Sequence, residues 1–170
     1  MNLKRPDTWI PWRLHGEQQT LALHIWEASG NELNPRWCAG PWKVSLEHGL
    51  LEEDSRRRLA LTPGGHDFID HPEGQTVAYI DAYEGIMELL RIVSDLGRAP
   101  IRDICAGFRA FCHAQTTIKS TSTIKEYLRK RRRNLIDRSY ICRYGDEFQA
   151  SEAGAIYLKA NAHLISEHAP

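Results

Sequence analysis

The sequence has no close pair of cysteines. Cys38, Cys105, Cys112 and Cys142 are scattered, with no Cys-x-x-Cys and no His-x-x-x-His spacing. That argues against a disulfide framework and a structural zinc, and it fits a reducing, cytoplasmic setting. No apolar run approaches the ~20 residues that a membrane span requires. The stretch from Met1 to Arg13 lacks an apolar core, so no secretory signal and no membrane partner are expected. A Gly-x-x-x-x-Gly-Lys phosphate loop is missing too; Thr62-Pro63-Gly64-Gly65 reads as a helix start instead. No acidic pair precedes a Glu-x-Lys or Gln-x-Lys strand, which excludes the usual metal-dependent nuclease triad. Cys105, Cys112 and His113 fall within an apolar helical stripe and read as core, and His66 and His71 form no recognisable pattern. A non-catalytic chain without cofactor or metal is therefore expected.

Net charge is also lacking, but only in sum: 22 Lys and Arg balance 22 Asp and Glu. Locally the signs separate. From Lys119 to Arg143, nine cations (Lys119, Lys125, Arg129, Lys130, Arg131, Arg132, Arg133, Arg138 and Arg143) face only Glu126 and Asp137. From Glu47 to Asp95, eleven acids face Arg56, Arg57, Arg58 and Arg91. Such a polarised chain presents one surface suited to a polyanion, nucleic acid above all. The hydrophobic content of 42% suffices for a core in one or two domains.

A degenerate repeat organises the chain. Gly49-Leu50-Leu51-Glu52 matches Asn134-Leu135-Ile136-Asp137, Thr62 matches Ser151, Gly65 matches Gly154, and Phe68-Ile69 matches Tyr157-Leu158. In this alignment the offset grows from 85 to 89, so the second copy carries four extra residues. Gly49 and Asn134 suit left-handed helix ends. The apolar pair after each begins a strand, and Ser55-Arg56-Arg57 and Arg143-Tyr144-Gly145-Asp146 are polar turns. Thr62 and Ser151 cap a closing helix, with Pro63 at its first position.

Upstream of the second hairpin, Ile86, Leu89, Leu90 and Val93 predict a helix over Tyr83 to Leu96 that ends at Gly97. Ile101, Ile104, Cys105, Phe108, Phe111 and Cys112 predict a second helix from near Pro100. Ser122 caps a third, Thr123 to Arg133, with Ile124, Leu128 and Leu135 near one face and Lys125, Arg129, Arg132 and Arg133 mostly on the other. In the first half, residues 18–29 read as a helix and Pro41 to Glu47 as a short one. Trp9, Trp12, Trp26, Trp37 and Trp42 form a Trp-rich core, unless Trp37 or Trp42 stacks on a base. A turn-rich break at His71-Pro72-Glu73-Gly74 separates the halves. The expected fold is mainly α with small β-hairpin wings, as two tandem winged helix-turn-helix units. Residues 1–74 form the acidic, Trp-rich unit, and residues 75–170 the unit with a basic recognition helix.

Leu59 to Pro72, reading Leu-Ala-Leu-Thr-Pro-Gly-Gly-His-Asp-Phe-Ile-Asp-His-Pro, resembles the end of the N-terminal domain of Mrr-type restriction endonucleases. Tyr127-Leu128 through Leu135-Ile136 to Ser151-Glu152-Ala153-Gly154 is similar to that domain and to regulators of the MarR and PadR kind. The resemblance covers roughly residues 15–72 and 80–160 and implies DNA recognition, as part of a restriction or defence protein or as a transcriptional regulator. The nuclease domain of the restriction family has no counterpart in these 170 residues.

The expected partner is double-stranded DNA, bound by a monomer through its two units or by a homodimer through symmetric half-sites. A nuclease domain or another protein is a further expected partner. Arg129 to Arg133 (Arg129, Lys130, Arg131, Arg132 and Arg133) are assigned mainly to phosphates, and Lys119 is a further DNA-binding candidate. Ser122, Thr123, Lys125 and Glu126 are the candidates for base reading. Glu126 accepts from cytosine or stabilises the helix start. Arg143 is a minor-groove or phosphate candidate, or a solvated turn residue. A basic helix alone does not distinguish DNA from RNA, and a winged helix can also serve as a protein-interaction adaptor.

Overall fold

The computed structural model describes residues 44–53 and 59–167, together with positions 27 and 55. The helix expected over residues 18–29 (Glu27 apart), the five tryptophans, Cys38 and the Arg56 to Arg58 triplet lie outside the described residues. The fold is mainly helical with small antiparallel hairpins, and the chain divides into two compact units, Met1–Pro72 and Glu73–Pro170.

In the first unit, residues 44–47 are helical and the chain turns at Gly49, whose φ of +62° is left-handed. Glycine adopts that conformation without the penalty a Cβ imposes. β1 (Leu51–Glu53) then pairs antiparallel with β2 (Leu59–Leu61), Leu51 opposite Leu61. Helix α1 (Pro63–Asp70) follows, with Thr62 as N-cap and Pro63 in the first turn.

The second unit begins with α2 (Gln75–Tyr83) and α3 (Ile86–Leu96). The helix expected from Tyr83 to Leu96 begins instead at Ile86, and α2 before it is not among the expected helices. Gly85, at φ +70°, breaks the hydrogen-bond ladder between them, and only the part from Ile86 onward keeps the expected apolar face. Gly97 ends α3 as expected. A two-residue strand, β3 (Ala99–Pro100), leads into α4 (Ile101–Gln115) and then α5 (Thr121–Asp137). β4 (Ile141–Tyr144) and β5 (Glu147–Ala150) form a hairpin whose turn is Gly145-Asp146. β3 adds to its other edge, giving the order β3-β5-β4 with Ala99 opposite Phe148. Helices α6 (Glu152–Ala160) and α7 (Ala162–Glu167) close the unit.

α3 is the central helix, packed against α2, α4, α5, α6 and β5. Its Leu89 and Leu90 are fully enclosed, and Ile104 and Phe108 of α4, Ile124 and Leu135 of α5, and Phe148 of β5 complete the same core. Burial of each such side chain contributes about 1.5–3 kcal/mol.

The repeat is closer in geometry than in sequence, and its register differs from the one expected. Asn134, Leu135 and Ile136 do not end a helix and start a strand, because α5 runs on to Asp137. The left-handed residue is Ser139, at φ +60°, and it corresponds to Gly49. Leu50 N–H donates to Ser45 O and Tyr140 N–H to Leu135 O, both at 2.8 Å. Thr62 Oγ1 donates to Gly49 O at 2.5 Å, and Ser151 Oγ to Ser139 O at 2.7 Å. The same hydroxyls accept from Gly65 N–H and Gly154 N–H, both at 3.0 Å. A Cβ added at Gly65 or Gly154 would lie 2.1 Å from the carbonyl oxygen of Leu50 or Tyr140. The offset is therefore 90 before the hairpin and 89 after it. The second hairpin, with two residues between its strands against five in the first, is the tighter.

Candidate nucleic-acid interface

The stripe of Ile124, Leu128 and Leu135 fixes how α5 lies on the core, since all three are buried. The helix exceeds the expected Thr123 to Arg133 at both ends. Its N-cap is Ser120 rather than Ser122, and the Oγ atoms of these two serines share a 2.9 Å hydrogen bond. Thr123 and Lys125 are exposed on the N-terminal half.

The cations of this segment divide into inward and outward sets. Arg131, expected on phosphate with its neighbours, is instead inward, its side chain only 12% exposed. Its Nε–H donates to the Glu84 carbonyl, its terminal nitrogen lies 3.1 Å from the Glu84 carboxylate, and its guanidinium covers the Tyr127 ring at 4.5 Å. Burial lowers its pKa, against the pull of Glu84. Arg138, which caps the end of α5, is inward too. It lies 2.6 Å from Asp81, a carboxylate 4% exposed that also accepts the Tyr157 hydroxyl at 2.6 Å. The Arg138 guanidinium covers the rings of Tyr140 and Tyr157. Burial raises the Asp81 pKa, while Arg138 and the Tyr157 O–H pull it down. Lys119, expected at the DNA-binding surface, donates to the carbonyls of His113 and Thr116 at 2.7 and 2.8 Å. It closes the C-terminal end of α4, where carbonyls attract a cation.

The outward set is Lys125, Arg129, Lys130 and Arg133. Arg129 forms a two-pronged contact to Glu126 at 2.8 Å, and Lys130 Nζ lies 3.7 Å from the same carboxylate. The Glu126 pKa is consequently lowered from 4.5 to about 2, mainly by the Arg129 hydrogen bonds. Glu126 lies beyond the first turn of α5, so the helix-start role weighed for it is replaced by this pairing. Arg133 likewise contacts Asp137 at 2.8 and 2.9 Å. These pairs are well exposed, with Arg129 at 62% and Arg133 at 75%. Exposed pairs of this kind are worth little.

Arg132 is half-buried, its guanidinium 4.8 Å above the Phe148 ring of β5. Arg143 belongs to β4 rather than to the turn, and its Nε–H donates to Gly145 O at 2.7 Å. Helix and hairpin therefore place Lys125, Arg129, Lys130, Arg132, Arg133 and Arg143 in one unit, against Glu126 and Asp137. Three features of the surface escaped the sequence: the Phe148 platform, the inward anchors Asp81 and Glu84, and a stack of Arg98 on Tyr144 at 4.7 Å, with Arg98 held 2.5 Å from Glu147. The anchors left one trace. Arg131 and Arg138 continue the spacing of Ile124, Leu128 and Leu135, which puts them on the inward stripe.

Among the described residues, no three His, Cys, Asp or Glu side chains gather as metal ligands, and no helix is long and apolar enough to cross a membrane. No protein-family model matches the sequence, and neither curated proteins nor solved structures give a match.

Proposed function

We propose that the chain is a non-catalytic module that binds double-stranded DNA through two tandem winged helix-turn-helix units, the second supplying the principal contact. The order helix, strand, helix, helix, hairpin over α3, β3, α4, α5 and β4–β5 supports the winged-helix reading of residues 73–170. α5 takes the place of the recognition helix and the hairpin that of the wing. The observation that carries the proposal is the exposed cationic face of α5, continued onto the hairpin by Arg143. Its acids, Glu126 and Asp137, are surface partners that a phosphate can displace.

Arg129, Lys130 and Arg133 serve phosphates, with sequence-independent affinity driven by counterion release. Lys125, with Ser122 and Thr123, lies on the half of α5 that enters deepest and serves base reading. The triple variant R129A/R132A/R133A is expected to weaken binding alike on unrelated duplexes. Lys125→Ala is expected to change the ranking of sequences. A mobility-shift assay comparing several duplexes, single strands and RNA hairpins is the test. A triple variant that binds duplex as tightly as the parent would sink the assignment, and a preference for RNA hairpins would move it to another polymer.

A further inference from the structure

The cations at the junction of α5 and the hairpin differ from those on the open face. Arg143 and Phe148 are direct cross-strand partners, so their side chains leave the hairpin on the same face. That face also carries buried Ile141 and buried Phe148, so it is the side turned to the core. Arg143, nearer the tip, stays exposed on it. The Arg132 guanidinium lies over the Phe148 ring, and Arg129 is one turn back on α5. Arg143 Nε–H is held by the Gly145 carbonyl, and no acceptor among the described residues takes its terminal amino groups. Neither Arg132 nor Arg143 has a carboxylate within ion-pair distance among the described residues, unlike Arg129, Arg131 and Arg133. Burial and the nearby charges of Arg143 and Arg129 depress the Arg132 pKa, as expected where like charges gather without a counterion.

We propose that Arg132 and Arg143, flanked by Arg129, form a preformed seat for a single phosphate group between helix and hairpin. The ring of Phe148 and the Gly145 carbonyl orient the two planar forks in advance, which suits bidentate phosphate recognition. The seat rests on the DNA-binding reading, in which its occupant is one backbone phosphodiester. A free phosphate monoester has the same chemistry, and the test separates the two.

The full chain is titrated with inorganic phosphate and, separately, with a short duplex, while arginine Nε–H NMR signals are followed. Duplex affinity is also measured for R132Q, R143Q, their double variant and R133Q. Phosphate is expected to shift Arg132 and Arg143 together, well before Arg133. R132Q and R143Q are each expected to weaken duplex binding about tenfold, with the double variant little weaker than either, as for two groups sharing one ligand. R133Q is expected to weaken it about threefold, independently of the others. If phosphate favours Arg133 equally, or if the R132Q and R143Q losses simply multiply, the seat is wrong while duplex binding stands. If the parent ignores duplex but phosphate still moves Arg132 and Arg143 together, the DNA reading fails and the seat takes a phosphate monoester. If neither ligand binds, both fall.

Discussion

Single side chains decide which charges of this molecule meet solvent. Asp81 is the clearest case, because a buried carboxylate holds both the Arg138 guanidinium and the Tyr157 hydroxyl. Removing its charge leaves Arg138 half-enclosed and unpaired. Asp81→Asn is therefore expected to lower stability by about 3 kcal/mol, read by urea denaturation at neutral pH. A loss below about 1 kcal/mol would mean that the pair is not needed to seat the end of α5. Glu126 acts at the surface. Its pKa lies below the ordinary value in the folded chain, so its contact with Arg129 is fully formed above about pH 4.5 and is lost as the pH falls through about 2. A carboxyl NMR titration with a midpoint near 4.5 instead would show Arg129 to be unattached. At neutral pH, Glu126→Gln frees Arg129 and removes a negative charge, so duplex affinity should rise about threefold. The sequence displayed all nine cations of this segment but not their directions. The inward turn of Arg131 and Arg138 was legible only in their spacing from Leu135, and charge counting conceals that.

Helices and hairpins carry the repeat, and here the sequence was legible only in part. The N-cap threonine and serine and the glycines three residues later aligned correctly, since one geometry requires them. The upstream half aligned wrongly. Leu50-Leu51 and Leu135-Ile136 look alike, yet Leu50 corresponds to Tyr140. The true left-handed residue of the second copy is Ser139, which lacks the glycine signature, and Asn134 stays helical. The break at Gly85 is hidden in the sequence for a related reason, because the apolar period of α3 masks the turn before it. Gly154→Ala places a methyl against the Tyr140 carbonyl and should destabilise the second unit by about 2 kcal/mol or more, with a matching fall in its thermal midpoint. An unchanged midpoint would contradict the close approach of α6 to the hairpin. Lys119→Ala should cost roughly 0.5 kcal/mol through the end of α4 and leave the salt dependence of DNA binding untouched. A shallower salt dependence would return Lys119 to the phosphate contacts.

Across the whole molecule, two units with similar hairpin ends differ in charge. Glu53 stands where the second hairpin carries Arg143, and Glu52 where it carries Cys142. The core from Ala78 to Leu164 lies wholly within residues 73–170, so that unit should unfold cooperatively when expressed alone. Gradual, non-cooperative melting would show that it depends on the first. A zero net charge hides this division, and only the placement of acids and bases along the chain betrays it. The most direct measurement is the affinity of the full chain for a duplex across a series of salt concentrations. The four outward cations together with Arg132 and Arg143, offset by two exchangeable acids, should give a slope of log K against log salt of roughly −4, reduced by about one for each of Arg132 and Arg133 replaced by Gln. A slope near zero, or one that these replacements leave unchanged, would contradict a phosphate-binding face on α5.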